Sequence, residues 1–462
     1  MDTLIRGGLV VKPSGEIRAD VLVRGEKIHS IGEAIPPSGA RVIDAAGRIV
    51  VPGGVDVHTH FDLLAGTERA SDDWRTGTIA AACGGTTTVV DHPGFGPPGC
   101  SLFHQIDAYH ALASGAAAVD YSFHGVVQRV DASVLDGLAE LARAGIPSVK
   151  VYLTYDFRLE DPEVLQVMKR MREISGVTCV HCEDHATVTA LRDRFRAEGK
   201  GEPRFHALSR PSEAEAAAVS RMVGLSEAAG GALLYVVHLS SRAGLAEVRK
   251  GRSRGVPVFA ETCPQYLLLS EERYREPELG GLKYVMSPPL RTEVDRDALW
   301  EGLADGSIQA VATDHCPFTF ARKKELGARS FLDCPNGAPG VETRMPLLFS
   351  AGVSAGRLSA RRFVEVTSEW PARLMGLFPR KGALLPGSDA DILIVDPARS
   401  LTVTAAALHS RADYTPFEGM EVRGIPVMTM LRGKVVAEDG RFTGAAGDGL
   451  FIKRGLPDPA LP

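Results

Sequence analysis

Two histidines separated by one residue, His58 and His60, follow an apolar run that begins at Ile49. Residues i and i+2 of a β-strand point to the same face, so both imidazoles are expected to project together from a strand end. A neutral imidazole is the commonest protein ligand for a transition metal. The spacing predicts half of a metal site, although a polar pair at a strand-to-loop junction explains this motif equally well when it is taken alone.

Four further residues suited to metal binding or proton transfer accompany other short apolar runs. They are Lys150, His181, His238 and Asp314. Each has an ordinary structural interpretation by itself: a lysine that reaches solvent, a histidine hydrogen-bonded in a core, or an aspartate that caps a helix. Because those interpretations would have to hold at five separate strand ends, the whole set favours one shared site.

The central part of the chain, residues 50–375, alternates short β-branched runs with stretches rich in Ala, Leu, Glu and Arg. Eight strands are predicted, over residues 50–57, 86–91, 119–124, 148–153, 178–181, 233–238, 257–261 and 310–314. Helices are predicted between them, for example over residues 136–144, 162–174, 213–228 and 242–249. Eight strands alternating with helices predict an α/β fold, a (β/α)8 TIM barrel. Its active site would lie at the carboxyl ends of the strands, where the candidate residues stand.

Both ends of the chain show a different pattern, with apolar clusters separated by Gly and Pro turns. This pattern is typical of short antiparallel strands. We therefore predict a second, smaller and discontinuous β-sandwich domain. Residues 1–50 would form its N-terminal part, residues 51–378 the barrel, and residues 379–462 its C-terminal part together with a C-terminal tail.

Composition narrows the class of protein. The chain has 462 residues, of which 44% are hydrophobic and 24% charged, with a net charge of −5. This mild charge predicts neither a nucleic-acid partner nor a membrane surface. No signal segment or membrane-spanning apolar run is evident. The seven cysteines are odd in number and scattered along the chain, so reduced thiols and a cytoplasmic location are expected.

Several longer motifs carry a resemblance to a known family. They are GVDVHTHF at 54–61, CPQYL at 263–267, MSPPLR at 286–291, TDHC at 313–316 and CPNGAPG at 334–340. With the His, Lys and Asp set, these motifs resemble the cyclic amidohydrolases of the dihydropyrimidinase and hydantoinase family, over essentially the whole chain. DYSFHG at 120–125 and HALSRP at 206–211 are most similar to the bacterial D-phenylhydantoinase branch.

The resemblance implies a site that holds two divalent metal ions, with zinc expected and manganese or cobalt as alternatives. His58, His60 and Asp314 would bind one ion, and His181 and His238 the other. A lysine ammonium has no lone pair, so Lys150 would bridge the ions as N6-carboxylysine, formed by addition of carbon dioxide. The resemblance also implies a homotetramer.

The same resemblance assigns roles in catalysis. Asp314 would transfer a proton to the leaving nitrogen, and the Tyr155 hydroxyl would donate to the developing oxyanion. Backbone groups of Ser287 and Asn336 would bind the ring of a cyclic imide. A rim aromatic is the ordinary interpretation of Tyr155.

Two loops bear on the substrate. An apolar pocket for a ring substituent could be formed by Leu63, Leu64, Tyr152, Phe157 and Leu159. Such a pocket favours 5-monosubstituted hydantoins, such as D-phenylhydantoin, as substrates. Dihydroorotases carry an arginine where this chain has Asp62, which would repel a substrate carboxylate. Hydrolysis of 5,6-dihydrouracil is the alternative, and allantoin fits less well. A non-catalytic scaffold protein is the alternative from another class.

Overall fold

Strands predominate at both ends of the chain and alternate with helices between them. The computed structural model describes residues 2–461. Its strands are β1 (Thr3–Lys12), β2 (Gly15–Arg24), β3 (Lys27–Gly32), β4 (Arg41–Asp44), β5 (Ile49–Pro52), β6 (Gly54–Thr59), β7 (Leu64–Ala65), β8 (Glu68–Arg69), β9 (Thr86–Asp91), β10 (Asp120–Phe123), β11 (Gly125–Val126), β12 (Ser148–Tyr152), β13 (Val177–His181), β14 (Leu234–Val236), β15 (Val258–Thr262), β16 (Ala310–Val311), β17 (Ile392–Thr402), β18 (Glu421–Leu431), β19 (Lys434–Glu438) and β20 (Arg441–Phe442).

The helices connect the central strands. They are α1 (Trp74–Cys83), α2 (Leu102–Ala113), α3 (Ala132–Arg143), α4 (Asp161–Glu173), α5 (His185–Ala197), α6 (Arg204–Leu208), α7 (Ser212–Ala228), α8 (Arg242–Ser253), α9 (Pro264–Leu268), α10 (Glu293–Ala304), α11 (Phe320–Gly327), α12 (Arg344–Leu348), α13 (Ala360–Val364) and α14 (Trp370–Leu374). Short 3-10 helices span Glu271–Arg275, Gly280–Tyr284, Phe331–Asp333 and Ala405–Ala407, and π-helical turns span Phe349–Ser354 and Glu365–Glu369.

Helix α4 illustrates why these segments are helical. Its buried residues are Val164, Val167, Met168 and Met171, a spacing of three and four that places all four on one face. The side chains of Glu160 and Glu163 form a reciprocal capping box at its start. Helix α4 lies within one residue of the predicted limits, and its apolar face packs against the barrel.

Strands from the two chain ends pair in one mixed sheet, which forms the β-sandwich. Its order is β20-β19-β18-β17-β5-β1-β2-β3, with β4 paired to β1. β1 runs parallel to β4 and β5, whereas β17 is antiparallel to β5 and β18. The N-terminal and C-terminal strands therefore join through the pair β5 and β17, as expected for a discontinuous domain.

The central strands form a barrel in which all neighbours are parallel. β6, β9 and β10 form one sheet, and β11 to β16 form the next. β10 and β11 are one barrel strand interrupted at His124. The backbone N–H of His60 donates to the carbonyl of His315 at 2.9 Å, and that of Asp314 donates to His58 at 2.9 Å, which closes the ring. The predicted TIM barrel with a second β domain is confirmed.

One predicted strand is wrong in detail. The run at 50–57 is two strands, because β5 ends at Pro52 and joins the sandwich, while β6 begins at Gly54 and opens the barrel. A Cβ atom at Gly53 would collide with the side chain of Thr87, so the crossing between domains requires glycine there. The domain limits at 50/51 and 378/379 stay predictions.

The C-terminal tail packs against the amino end of the barrel strands. Tyr121 in β10 donates its N–H to the carbonyl of Leu450 at 3.0 Å and accepts from the N–H of Ile452 at 2.7 Å.

Among residues 2–461, none of the seven cysteines is in a disulfide. No helix in that range is long and apolar enough to cross a membrane.

Candidate active site

Three side chains meet at the carboxyl end of the first barrel strand. The Nε2 atoms of His58 and His60 lie 3.2 and 3.1 Å from the same oxygen of Asp314, Oδ1. His58 donates its Nδ1–H to Glu261 at 2.5 Å, and His60 donates its Nδ1–H to the carbonyl of His92 at 3.0 Å. Donation at Nδ1 leaves a lone pair on each Nε2. Two lone pairs and a carboxylate oxygen therefore face one point, which is the donor set of a metal site.

The protonation of this group supports that interpretation. Burial lowers the pKa of His58 well below its usual range, and the Lys150 ammonium lowers it further, so the imidazole is neutral. Its Nε2 has no hydrogen-bond partner among the described residues. Burial raises the pKa of Glu261, but donors surround its carboxylate: the Tyr235 hydroxyl at 2.8 Å and the backbone N–H of His238 at 3.2 Å. A carboxylate beside Nδ1 fixes the tautomer that a metal-binding histidine needs.

A second pair of histidines lies beside the first group. Nδ1 of His181 is 2.9 Å from Nε2 of His238, and the ring centres of His58 and His238 are 5.3 Å apart. Nε2 of His181 donates to Glu183 at 2.8 Å, so its lone pair is on Nδ1 and points toward His238. Burial alone would raise the pKa of Glu183, but the Arg210 guanidinium and His181 lower it to about 2. This pair could hold a second cation.

Lys150, on β12, lies near both groups, since its charge adds to burial in lowering the pKa of His58, His181 and His238. It is 1% exposed, and none of the described carboxylates lies within ion-pair distance of its ammonium. Burial lowers the pKa of Lys150, opposed by the charges of Asp314 and Glu261. A buried lysine without a counterion is costly, and conversion to an anionic group between cations would remove that cost.

Three candidate residues adopt the left-handed backbone region. The φ angles are 78° at Tyr155, 39° at His238 and 52° at Asp314. Residues with a Cβ rarely adopt this region, and such positions concentrate at functional sites. The predicted strands at 233–238 and 310–314 accordingly end earlier, at Val236 and Val311. His238 and Asp314 are therefore carried by tight turns rather than by strands.

Tyr155 lies over the second histidine pair. Its ring centre is 5.2 Å from that of His181, and the Arg210 guanidinium is 5.7 Å from the Tyr155 ring centre. Burial raises the pKa of Tyr155, while Arg210 and a hydrogen bond with Ser287 oppose the rise. The Ser287 hydroxyl donates to Oδ1 of Asn336 at 3.0 Å. Tyr155, Ser287 and Asn336 thus lie together near His181, and their substrate roles stay predictions.

The expected apolar pocket is formed in part. Phe95 contacts both Tyr152 and Phe157, with ring centres 4.8 and 4.9 Å apart. Leu63 packs near Gly94, whereas Leu64 is 52% exposed and Leu159 is buried in the barrel core. Sequence reasoning missed Phe95 and included Leu159, because neither side chain's direction is visible without the fold.

Asp62, the position where dihydroorotases carry arginine, is held by the backbone. Its Oδ2 accepts the N–H of Trp74 at 3.1 Å, and its Oδ1 lies 3.5 Å from the Arg69 guanidinium. Burial raises the pKa of Asp62, and these two partners lower it. The carboxylate stabilises the turn after His60, which is a structural role in addition to the predicted repulsion of anions.

Four buried groups around the candidate ligands were not found from the sequence. Glu261 accepts from His58, and Glu183 accepts from His181, so the two carboxylates orient these imidazoles. The rings of His92 and His124 stack on each other, with centres 3.9 Å apart. Glu261 ends a predicted strand and Glu183 is two residues after His181, so strand-end position was an available signal for both. His92 and His124 also follow strands, but nothing in their spacing distinguishes them from core histidines.

Comparison with known proteins shows the family of the chain. The model of the Amidohydrolase family matches residues 49–436. The chain belongs to the amidohydrolase family. It is 49% identical to a D-phenylhydantoinase of Escherichia coli O81 (strain ED1a) over 455 residues, which covers 98% of each chain. The predicted family is confirmed.

Solved structures of other amidohydrolases are similar throughout. Dihydropyrimidinase from Brevibacillus agri NCHU1002 superposes with a TM-score of 0.97 at 41% identity, covering 99% of both chains. D-hydantoinase from Bacillus sp. AR9 gives 0.96 at 42% identity, covering 98% of this chain and 99% of that one. L-hydantoinase from Arthrobacter aurescens gives 0.89 at 31% identity, covering 98% and 100%. This amidohydrolase is a hydrolase of the cyclic amide class.

Proposed function

We propose that the protein opens the ring of 5-monosubstituted hydantoins, such as D-phenylhydantoin, to give N-carbamoyl amino acids. The observation that carries the proposal is the convergence of the two Nε2 lone pairs of His58 and His60 on Oδ1 of Asp314. Acceptors in that arrangement need a cation. The similarity to D-phenylhydantoinase supports the choice of substrate.

The residues fit two divalent ions. His58, His60 and Asp314 would hold the first, and His181 and His238 the second. Lys150, as N6-carboxylysine, would offer an oxygen to each. When bound, the ions supply Lewis acidity, which lowers the pKa of water and polarises a ring carbonyl. Zinc suits mixed nitrogen and oxygen ligands and is the ion we propose.

The chain's own residues complete the hydrolysis. Asp314 takes the proton of the attacking water on its carboxylate and passes it to the ring nitrogen, because an amide anion leaves poorly. The Tyr155 hydroxyl donates to the carbonyl oxygen as negative charge develops there. Backbone groups of Ser287 and Asn336 hold the ring, while Tyr152 and Phe157 contact an aryl substituent. The new carbon–oxygen bond forms first and places negative charge on the former carbonyl oxygen; the bond between the ring carbon and nitrogen then breaks as the nitrogen takes the proton from Asp314.

A second candidate reaction is the hydrolysis of 5,6-dihydrouracil to an N-carbamoyl β-amino acid. The similarity to a dihydropyrimidinase favours it. The aromatic side chains around Phe95 favour an aryl substituent instead, which is why we place hydantoins first. Allantoin lacks an aryl group and fits less well. A scaffold protein would not need the intact set of six ligand positions.

One activity panel tests the proposal. D- and L-phenylhydantoin, hydantoin, dihydrouracil, allantoin and dihydroorotate would be assayed before and after dialysis against a chelator, with metal content measured by elemental analysis. We expect turnover of D-phenylhydantoin, close to two metal ions per chain, and loss of activity after chelation. Faster turnover of allantoin or dihydroorotate would contradict the substrate, and full activity without metal would contradict the site.

A homotetramer and a cytoplasmic location stay predictions. Light scattering at micromolar concentration checks the first, since the mass of a single chain would contradict it. Cell fractionation checks the second.

A further inference from the structure

The C-terminal tail places a buried arginine inside the barrel. Arg454 is 4% exposed, and none of the described carboxylates forms an ion pair with it. Its Nε donates to the Ser122 hydroxyl at 3.0 Å, and Nη1 donates to the carbonyl of Met375 at 3.2 Å. Nη2 donates to the carbonyl of Phe123 at 2.5 Å and to the Ser148 hydroxyl at 2.8 Å. A charged group held only by neutral acceptors is expensive, so its position calls for an explanation beyond anchoring the tail.

The contact with Ser148 begins a directional chain of hydrogen bonds. Because Ser148 accepts from Arg454, its own hydroxyl proton is free to donate, and Nδ1 of His124 lies 2.7 Å away. His124 must then carry its proton on Nε2, which donates to the carbonyl of Val57 at 3.1 Å. Every donor in the chain has an acceptor only if His124 is in this one neutral tautomer. The chain ends on the peptide unit that joins Val57 to His58.

The His124 ring also supports the other ligand. It stacks on His92 with ring centres 3.9 Å apart and an interplanar angle of 10°. The His92 carbonyl is the acceptor for Nδ1 of His60, and the His92 ring lies 4.3 Å from that of His58. Fixing the plane of His124 therefore fixes His92, and through it the orientation of both histidines of the first metal group.

Arg454 contacts the layer of barrel side chains directly below the layer that contains Lys150 and His181. Ser148 and Lys150 are residues i and i+2 of β12, and Cys179 and His181 have the same relation in β13, so the members of each pair point to the same side. Barrel interiors are filled by such layers. Arg454 enters at the layer of Ser148 and supports the layer that contains Lys150.

We propose that Arg454 is a positioning residue for the metal site, acting through Ser148 and His124 on the strand that carries His58 and His60. The inference rests on the proposed function, since it concerns the same metal-binding residues. It adds that the last segment of the chain sets the geometry of ligands carried by the first barrel strand.

The sharpest test is Ser148→Ala, which removes the link while Arg454 keeps its contacts with Ser122, Phe123 and Met375. We expect zinc affinity, measured by competition with a chromophoric chelator, to fall about tenfold or more, in the range known for residues that orient metal ligands. Arg454→Met should produce a similar loss. The double variant should bind zinc no more weakly than the weaker-binding single variant, because both changes break the same chain of hydrogen bonds.

Matched controls separate positioning from a general role of the tail. Lys453→Met alters the exposed neighbour of Arg454 and should leave zinc affinity unchanged. Normal zinc affinity in folded Ser148→Ala, with only the melting temperature lowered, would overturn the inference. So would additive losses in the double variant. A wild-type protein that binds no metal would instead contradict the proposed function, so the two failures are distinguishable.

Discussion

The Tyr155 hydroxyl can be tested without disturbing the metal ligands. Tyr155→Phe removes one donor to the developing oxyanion while the ring keeps its position near His181. Loss of one such donor typically lowers turnover by about 10²–10³-fold. We expect kcat to fall in that range with metal content unchanged, measured by steady-state kinetics and elemental analysis. An unchanged kcat would show that the hydroxyl does not contact the reacting carbonyl.

Lys150 offers a second test at the scale of one residue. Lys150→Ala should lose metal and activity together, because the remaining histidines and Asp314 lack a bridging anion. Added short carboxylates should restore part of both. Lys150→Arg should stay inactive, since a guanidinium cannot ligate a cation. Full activity of Lys150→Arg would contradict the proposed carboxylysine, and mass spectrometry of the native protein would detect the added carbon dioxide directly.

Residue types and spacing predicted which side chains would lie close together at one end of the barrel, but not their protonation. The structure brings the six predicted ligand positions together, because strand ends of a barrel meet at one face. Which nitrogen of His58 carries the proton depends on Glu261, about 200 residues away in the sequence, and the acceptor for His60 is a backbone carbonyl. Such partners are set by the fold, and a single sequence contains no local signal for them.

At the scale of elements, the carboxyl ends of the barrel strands carry both the candidate ligands and the residues that orient them. Glu261, in β15, accepts from His58, from Tyr235 and from the backbone of His238, so it supports both histidine groups. Glu261→Gln keeps the shape but can present its amide N–H₂ to Nδ1 and favour the wrong tautomer of His58. We expect zinc affinity to fall about ten- to a hundredfold, measured by chelator competition. The exposed Glu272→Gln is the control, and equal affinity in both variants would contradict this role.

Strand limits were predicted less well than strand existence. All eight barrel strands were found from their β-branched runs, but those leading to His238 and Asp314 end two and three residues before these side chains. The left-handed turns there give no signal in composition, because neither turn contains glycine at the critical position. Backbone conformation at His238 and Asp314 is imposed by packing in the fold rather than by local propensity.

At the scale of the whole molecule, one buried lysine joins the sandwich to the barrel. Nζ of Lys381 lies 2.5 Å from Asp120, which begins β10, and 2.7 and 3.0 Å from Asp391 and Asp389, which precede β17. Lys381→Met would leave the buried Asp391 without an ion-pair partner, whereas Asp120 keeps Arg432 and Asp389 keeps Lys27 and Arg380. We expect a cost of about 3–5 kcal/mol in the free energy of unfolding. Urea denaturation would measure it, with the exposed Lys250→Met as control. A loss below about 1 kcal/mol, typical of surface pairs, would contradict a linking role.

The same cluster predicts a dependence of stability on pH. Burial alone would raise the pKa of Asp389, but Lys381, Lys27 and Arg380 lower it to about 2. An unfolded aspartate has a pKa of about 3.9. The stabilisation is therefore fully present above about pH 4 and is lost as pH falls toward 2. Unfolding free energies of Asp389→Asn and wild type should differ most above pH 4 and converge toward pH 2; a constant difference would contradict the assignment.

The pairing of β5 with β17 also has a consequence in time. About 340 residues separate the end of β5 from the start of β17. At about 5–20 residues per second, the ribosome needs roughly 20–70 s to make the second strand after the first. During that interval β5 presents an open edge of unpaired peptide groups, the feature by which nascent chains associate wrongly. We therefore expect the yield of native protein to depend on chaperones and on the speed of translation far more than on the stability of the finished fold.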